Sequence, residues 1–333
     1  MSDIIEKLGP VVENNDITHW DMQDCILGVP GASYLFNAFQ NMKSLKELSI
    51  CYDDEDVDHG VDDDIMSGCI PSLAGCTAMQ TLNLGWLGLS TSSCAALSAI
   101  FPRMASLHEL KLVGNSMSDD CVEILVGGLV ECKHLHSLRL DSNRISDDGL
   151  DVLIRRLPAS VSCMGLSDNQ VTLARKLPLL RFKQFALPNN TFYRNGNPLS
   201  LKAPRVIAAS LANPECFLEV LDLCGTNIGN KGAAILAESL RNNRRLTVMN
   251  LGACNITNKG RNAFLSVLCD TTNINATHGS NHTLQRLGFA KIHKHVKAML
   301  ELNFDQVKSR VAAKKILQSH RHLDMRPLFG WEL

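Results

Sequence analysis

Eight carboxylates crowd the stretch from Asp53 to Asp64, in the run DDEDVDHGVDDD. Such a cluster can chelate a divalent cation or dock a basic partner, and its spacing bears on the choice. Asp54, Asp56 and Asp58 copy the opening ligand pattern of a calcium loop, but Gly60 falls one place late and Ile65 stands where a bidentate glutamate belongs. Asp53, Asp54, Glu55, Asp56, Asp58, Asp62, Asp63 and Asp64 therefore read as a solvated acidic loop, with a docking patch for a basic partner as the alternative. His293 with His295, and His320 with His322, are two apart, a poor spacing for shared ligation from one helix face. Twelve cysteines contain no CxxC pair and no zinc-like spacing. GxSxG, P-loop, HExxH and GxGxxG signatures are absent. The expectation is a binding protein rather than an enzyme, with no catalytic residues, no metal and no cofactor.

What positions the remaining polar residues is a repeat. In LRLDSNRISDDGLDVLIRRL, Leu138 to Leu157, a strand-like alternation gives way to an asparagine, a glycine and apolar residues spaced four apart as in a helix. Counting from Leu135, slots one, four, six, nine and eleven hold Leu135, Leu138, Leu140, Asn143 and Ile145; Gly149, Leu153 and Leu157 follow at fifteen, nineteen and twenty-three. Twenty-eight residues earlier these slots begin Leu107, Leu110, Leu112, Asn115, Met117, and a further twenty-eight earlier Met79, Leu82, Leu84, Leu87, Leu89. The unit returns from Ile17, from Leu218 and from Leu246.

This LxxLxLxx(N/C/T)x(L) pattern resembles the leucine-rich repeats of the ribonuclease-inhibitor-like subfamily, with its 28-residue unit, over nearly the whole chain. The tail from NHTLQRLGF to DMRPLFGWEL also resembles the closing segment of leucine-rich-repeat proteins of unicellular algae, a likeness that implies no activity. The fold class implied is α/β, a solenoid of about nine to ten repeats shaped as a horseshoe, with a parallel sheet on the concave face and helices on the convex face. Slots four and six should point inward. At slot nine a small polar side chain should satisfy backbone groups stranded by the turn, giving a structural ladder of Cys25, Asn115, Asn143, Asn169, Asn190, Thr226 and Cys254. The division expected is an N-terminal capping helix over 1–16, the solenoid over 17–290 and a helical cap over 291–333.

Slots three, five and seven should line the concave face. Slot five reads Asp21, Ser49, Asn83, Lys111, Arg139, Gly165, Ala186, Asp222, Asn250 and Gly288, with Glu109 and Asp141 flanking the Lys111 and Arg139 pair. This mixed track either recognises a protein patch or satisfies itself as a surface ion network. Tyr52 and Trp86 share slot eight of adjacent units and either anchor a partner or lie beneath the acidic loop as a private cluster. The partner-binding candidates are thus Tyr52, Trp86, Asn83, Glu109, Lys111, Arg139, Asp141, Asp222 and Asn250.

The formal charge of −1 hides an acidic start and a basic end: fifteen acidic against three basic residues from Met1 to Asp64, ten basic against three acidic from Arg286 to Arg326. The basic end lacks interleaved aromatics, so nucleic acid is not expected, nor is a membrane, since no apolar run is long enough to span one. A soluble protein of the cytoplasm or nucleus, monomeric, with reduced thiols, is expected. The function expected is a non-enzymatic protein-interaction module. Two alternatives stand beside it. One is a GTPase-activating protein resembling the Ran GTPase activators, a likeness that implies a positioned arginine, with Arg139, Arg144 and Arg103 as candidates. The other is a scaffold assembling head-to-tail through its acidic and basic ends.

Overall fold

The computed structural model describes residues 16–52, 60–175, 179, 181–188 and 197–321. These form two compact units. The first takes in the described residues up to Thr172 together with Asn197, and the second the described residues from Leu173 to 188 and from Pro198 onward.

In the first unit, strands β1 (His19–Gln23), β2 (Glu47–Cys51), β3 (Thr81–Gly85), β4 (Glu109–Lys111), β5 (Ser137–Arg139) and β6 (Cys163–Gly165) alternate with helices α1 (Gly28–Phe39), α2 (Asp63–Cys69), α3 (Thr91–Ile100), α4 (Asp119–Leu129) and α5 (Asp147–Arg156). Consecutive strands pair in parallel and in repeat register, with Leu82 facing Leu110 and Leu110 facing Leu138. Parallel pairing of successive strands requires a crossover, and each helix supplies it. The second unit continues with β7 (Gln184–Ala186), α6 (Ala203–Leu211), β8 (Val220–Asp222), α7 (Gly229–Ser239), β9 (Val248–Asn250), α8 (Asn258–Leu268), α9 (Ile274–His278), α10 (Lys294–Leu302) and α11 (Lys308–Ser319). Its strands are parallel too, Phe185 facing Leu221 and Leu221 facing Met249. The tenth strand expected near Leu284 is reduced to one bridge between Val248 and Arg286.

The core is the one the spacing demanded. Slots four and six are sealed, with Leu48, Leu82, Leu84, Leu110, Leu112 and Leu138 at 0% exposure. Helix positions Leu97, Leu125 and Leu153 close over them from behind. Helix α5 shows why these segments become helical: Ser146 Oγ caps the Asp148 N–H, Asp147 and Asp148 sit in the first turn, and Arg155 and Arg156 in the last.

Three sets of side chains tie each repeat to its neighbour. At slot nine, Asn143 Nδ2 donates to Leu112 O at 2.9 Å and Oδ1 accepts from Met117 N at 3.1 Å, both in the preceding repeat. Asn115 and Asn169 repeat this pattern one repeat before and one after. Asn190 lies outside the described residues, and the bonds its slot would make, to Val171 N and Leu166 O, are made by Asn197 instead. The insertion within this repeat displaces the working asparagine seven residues along the chain. Thr226 departs from expectation as well: its hydroxyl donates to Leu223 O of its own repeat at 2.6 Å. Cys254 does reach back, its thiol to Leu223 O at 2.9 Å. At Cys25, the carbonyl accepts the Tyr52 hydroxyl at 2.6 Å.

The second set is at slot thirteen, where a carboxylate or carboxamide accepts from the following repeat: at a helix start opposite Asp119 and Asn230, and at the non-helical segment around Thr172 opposite Asp147. Asp119 accepts from Ser146 N and Oγ, Asp147 from Thr172 N and Oγ1, and Asn230 from Thr257 N and Gly260 N. The third set lies three residues before slot one of several repeats, where Cys76, Cys132, Asn243 and Asn281 donate to Phe39 O, Phe101 O, Leu211 O and Leu240 O. Burial pushes the Cys76 and Cys132 thiols up to about 12 and about 11, so they remain protonated donors.

The N-terminal capping helix proposed for 1–16 lies outside the described residues save Asp16. After β9, helices α10 and α11 pack against the last repeat, where Lys315 Nζ, fully buried, donates to Leu268 O and Asn281 O at 2.7 and 2.8 Å. No helix among the described residues is long and apolar enough to cross a membrane.

Candidate interaction surface

On the face opposite the sealed leucines, the first unit presents a row of polar side chains. A side chain that alternates with a buried leucine must point the other way, and slots three and five of β2 to β5 are accordingly exposed or half-buried. These groups are bonded to one another. Asn83 Nδ2 donates to Ser49 Oγ at 3.1 Å across neighbouring strands. Lys111 Nζ lies 3.1 Å from Glu109 Oε2, and Ser137 Oγ donates to Glu109 Oε1 at 3.3 Å.

The tightest pair is Arg139 Nε on Asp141 Oδ2 at 2.6 Å, with an Asp141 side chain 6% exposed and an Arg139 side chain 48% exposed. Asp141 Oδ1 also accepts from Ser167 N at 2.9 Å. The next strand makes room for this pair. A Cβ on Gly165 would stand 2.3 Å from Arg139 Nε and 2.7 Å from Asp141 Oδ2, so only glycine lets the guanidinium lie flat across β6. The anion is built into the protein and half the cation is offered outward.

In the second unit the corresponding residues turn back onto their own chain. Asp222 Oδ1 accepts from Cys224 N at 2.9 Å and Asn250 Oδ1 from Gly252 N at 3.2 Å, and both side chains are half-buried. Their carboxyl and carboxamide oxygens terminate the strands, whereas the first unit's groups bridge or decorate them.

The aromatic pair separates. Tyr52 is 3% exposed, and its bond to Cys25 O holds the phenol inward, so it does not serve as an exposed anchor. Burial is the main cause that pushes the Tyr52 phenol above its ordinary value. Trp86 remains half-buried, with its backbone in the left-handed region at φ 58°. Slot eight is left-handed in most repeats, at Asp24, Trp86, Gly114, Ser142, Asp168, Gly225 and Ala253. The clue in the sequence is the recurrence there of Gly and Asp, which tolerate this conformation. The Trp86 indole lies so close over Gly114 that a Cβ there would fall 2.0 Å from Cδ2.

Of the acidic loop, Asp53, Asp54, Glu55, Asp56 and Asp58 lie outside the described residues. Asp62 caps α2 by accepting from Ile65 N at 2.9 Å. The repeat that opens at Leu45 runs 34 residues to Met79, six more than the others, and with this insertion discounted Asp63 occupies slot thirteen: Oδ1 accepts from Ser90 N and Ser93 N, and Oδ2 from Ser92 N. Burial pushes its carboxyl up, but the bonds from Ser93, Ser90 and Ser92 prevail and hold it below the ordinary value. Asp63 is thus a half-buried structural cap rather than a solvated carboxylate of the acidic loop. Asp64 stays exposed at the helix start. Among the described residues no group of three or more His, Cys, Asp and Glu is placed to hold a metal ion.

A family model described as Leucine Rich repeat matches residues 131–153 and 216–237. Together with parallel strands alternating with helices in both units, this gives the fold class as an α/β leucine-rich-repeat solenoid. Among solved structures, an internalin from Listeria monocytogenes is 17% identical, covering 87% of this chain and 95% of that one at a TM-score of 0.39. The C-terminal domain of tropomodulin from Caenorhabditis elegans is 13% identical, covering 49% and 82%, at 0.31. The sequence has no match among curated proteins.

Proposed function

We propose that this chain is a non-enzymatic protein-interaction module that binds a protein partner through the outward strand face of its first unit and the rim turns that follow the strands. Leucine-rich-repeat proteins generally mediate protein–protein contacts, which gives the class. The observation that supports the reading is a face whose side chains are held in place yet leave charge open to a partner, with Asn83 on Ser49 and Ser137 on Glu109 across strands, and Lys111 on Glu109 and a 48% exposed Arg139 on Asp141 along them. Side chains already ordered lose little entropy on association, so a partner meets a surface held in one arrangement. Trp86 supplies a half-buried aromatic edge beside it.

Capture of binding proteins on the immobilised chain tests this. The double variant Lys111→Glu, Arg139→Glu and the single variant Trp86→Ala should each lose proteins retained by the wild type, with unchanged circular dichroism. Equal recovery by both folded variants would remove the face from the binding site. No observation favours the GTPase-activating reading: Arg139 commits Nε to Asp141, and no contact singles out Arg103 or Arg144.

A further inference from the structure

Eight of the twelve cysteines are buried, and the remaining four, Cys25, Cys51, Cys163 and Cys224, are half-buried. Cys163 differs from these in its company. It opens β6 at slot three, on the outward face, where preceding repeats carry Glu47, Thr81, Glu109 and Ser137. His136 Nε2 lies 3.4 Å from its sulfur. Ser162 Oγ lies 3.0 Å from His136 Nδ1, 3.4 Å from His136 Nε2 and 3.8 Å from Cys163 Sγ.

The backbone fixes this arrangement. Ser162 N and Cys163 N both donate to His136 O at 3.0 Å, and Ser137 pairs with Cys163 in register across β5 and β6. The imidazole is exposed, so the group is open to solvent. An Nδ1–H donating to Ser162 Oγ leaves the Nε2 lone pair facing the thiol, the relation of an oriented base to its nucleophile. Two strand positions along the same face, Arg139 Nε lies against Gly165, its side chain half exposed and paired with Asp141. The other titratable groups along this edge are His108 and His134, stacked at 5.9 Å, and Glu109, which accepts from Ser137.

We propose that Cys163 is a modification site that forms mixed disulfides with low-molecular-weight, carboxylate-bearing disulfides, with His136 as the base. The thiol proton passes to His136 Nε2 and the thiolate attacks one sulfur of the small disulfide. Its S–S bond breaks, and the electron pair leaves on the second sulfur, which takes the proton back from the imidazolium. Cys163 is oxidised to the mixed disulfide, and half of the small molecule is reduced to a free thiol. The adduct adds a bulky anion to the outward strand face beside Arg139. The proposal does not depend on that face binding a protein.

The probe is oxidised glutathione, added to the whole folded chain at pH 7, with each cysteine followed by peptide mass spectrometry. Cys163 should be modified at least about tenfold faster than Cys25, Cys51 or Cys224. His136→Gln, with an unchanged melting profile, should slow Cys163 by about tenfold and leave the rates of Cys25, Cys51 and Cys224 unchanged. Modification of Cys163 no faster than the other three, or a folded His136→Gln chain with an unchanged Cys163 rate, would overturn the proposal. If His136→Gln does not fold, His136→Asn takes its place, and the wild-type ranking of the four cysteines decides if neither folds.

Discussion

The two units stitch their repeats together with different atoms. In the first, the slot-nine carboxamides donate to one strand and accept from the turn beyond it, as Asn143 does with Leu112 O and Met117 N. In the second, Cys254 donates to Leu223 O, and the slot-eleven N–H that an asparagine would receive, on Ile228, turns to Thr226 O of its own repeat. A carboxamide carries both donor and acceptor on one rigid plane, whereas a thiol in this place supplies the donor. The second unit compensates with the other ladder, where Asn243 and Asn281 donate to Leu211 O and Leu240 O in places that Cys76 and Cys132 fill in the first. Asparagine and cysteine exchange roles between the units.

The comparison predicts unequal costs. Asn143→Ala strands buried groups on two repeats and should cost about 3–5 kcal/mol, against about 1 kcal/mol for Thr226→Val, read as shifts of the urea midpoint. Equal shifts would break the contrast between the ladders.

Next come the slot-thirteen caps, charged in the first unit at Asp63 and Asp119 and neutral in the second at Asn230. Asp63→Ala and Asn230→Ala should each cost about 1–2 kcal/mol at pH 7, as lost helix caps do. They diverge in acid. The Asp63 carboxyl is held below its ordinary value in the folded chain, so its contribution is complete above pH 3.8 and fades as the pH falls through the lower folded value. Asp63→Ala should therefore narrow its gap to the wild type in acid, and Asn230→Ala should keep a constant gap. A constant gap for both would show that Asp63 acts by its shape alone.

The smallest effect at neutral pH concerns the buried charges. The first unit buries Asp141, Asp147 and Asp168, while the second buries Lys315. Burial is the main cause that brings the Lys315 ammonium down to about 7 from 10.5. The unfolded chain holds this proton up to about 10.5 and the folded chain releases it near 7, so Lys315 makes stability rise with pH across that window. Lys315→Met should change stability at pH 7 by no more than about 1 kcal/mol, because relief from desolvation offsets two lost hydrogen bonds. It should also flatten the rise between pH 7 and 10, measured by urea midpoints. An unchanged slope would move the titration to another group.

Much of this was legible in the residue order. Leucines at slots four and six must face inward because strand periodicity leaves no alternative, and asparagine at slot nine must bond backbone because the turn strands polar groups beside a sealed core. Asp63 and Tyr52 were not legible. An insertion hid Asp63's place in the repeat, so a cap looked like one more charge in an acidic run. Tyr52 shares slot eight with Trp86, and only the position of the Cys25 carbonyl made one ring buried and the other half-exposed.

The chain order by itself determined the period, the inner face and the donors that must be satisfied, because these follow from local geometry repeated every 28 residues. Tertiary structure alone decided which asparagine serves the interrupted repeat, that Ser137 meets Glu109 across strands, and that His136 meets Cys163. Those pairings join atoms 26 or more residues apart, and the register of parallel strands, rather than neighbourhood along the chain, sets their distance.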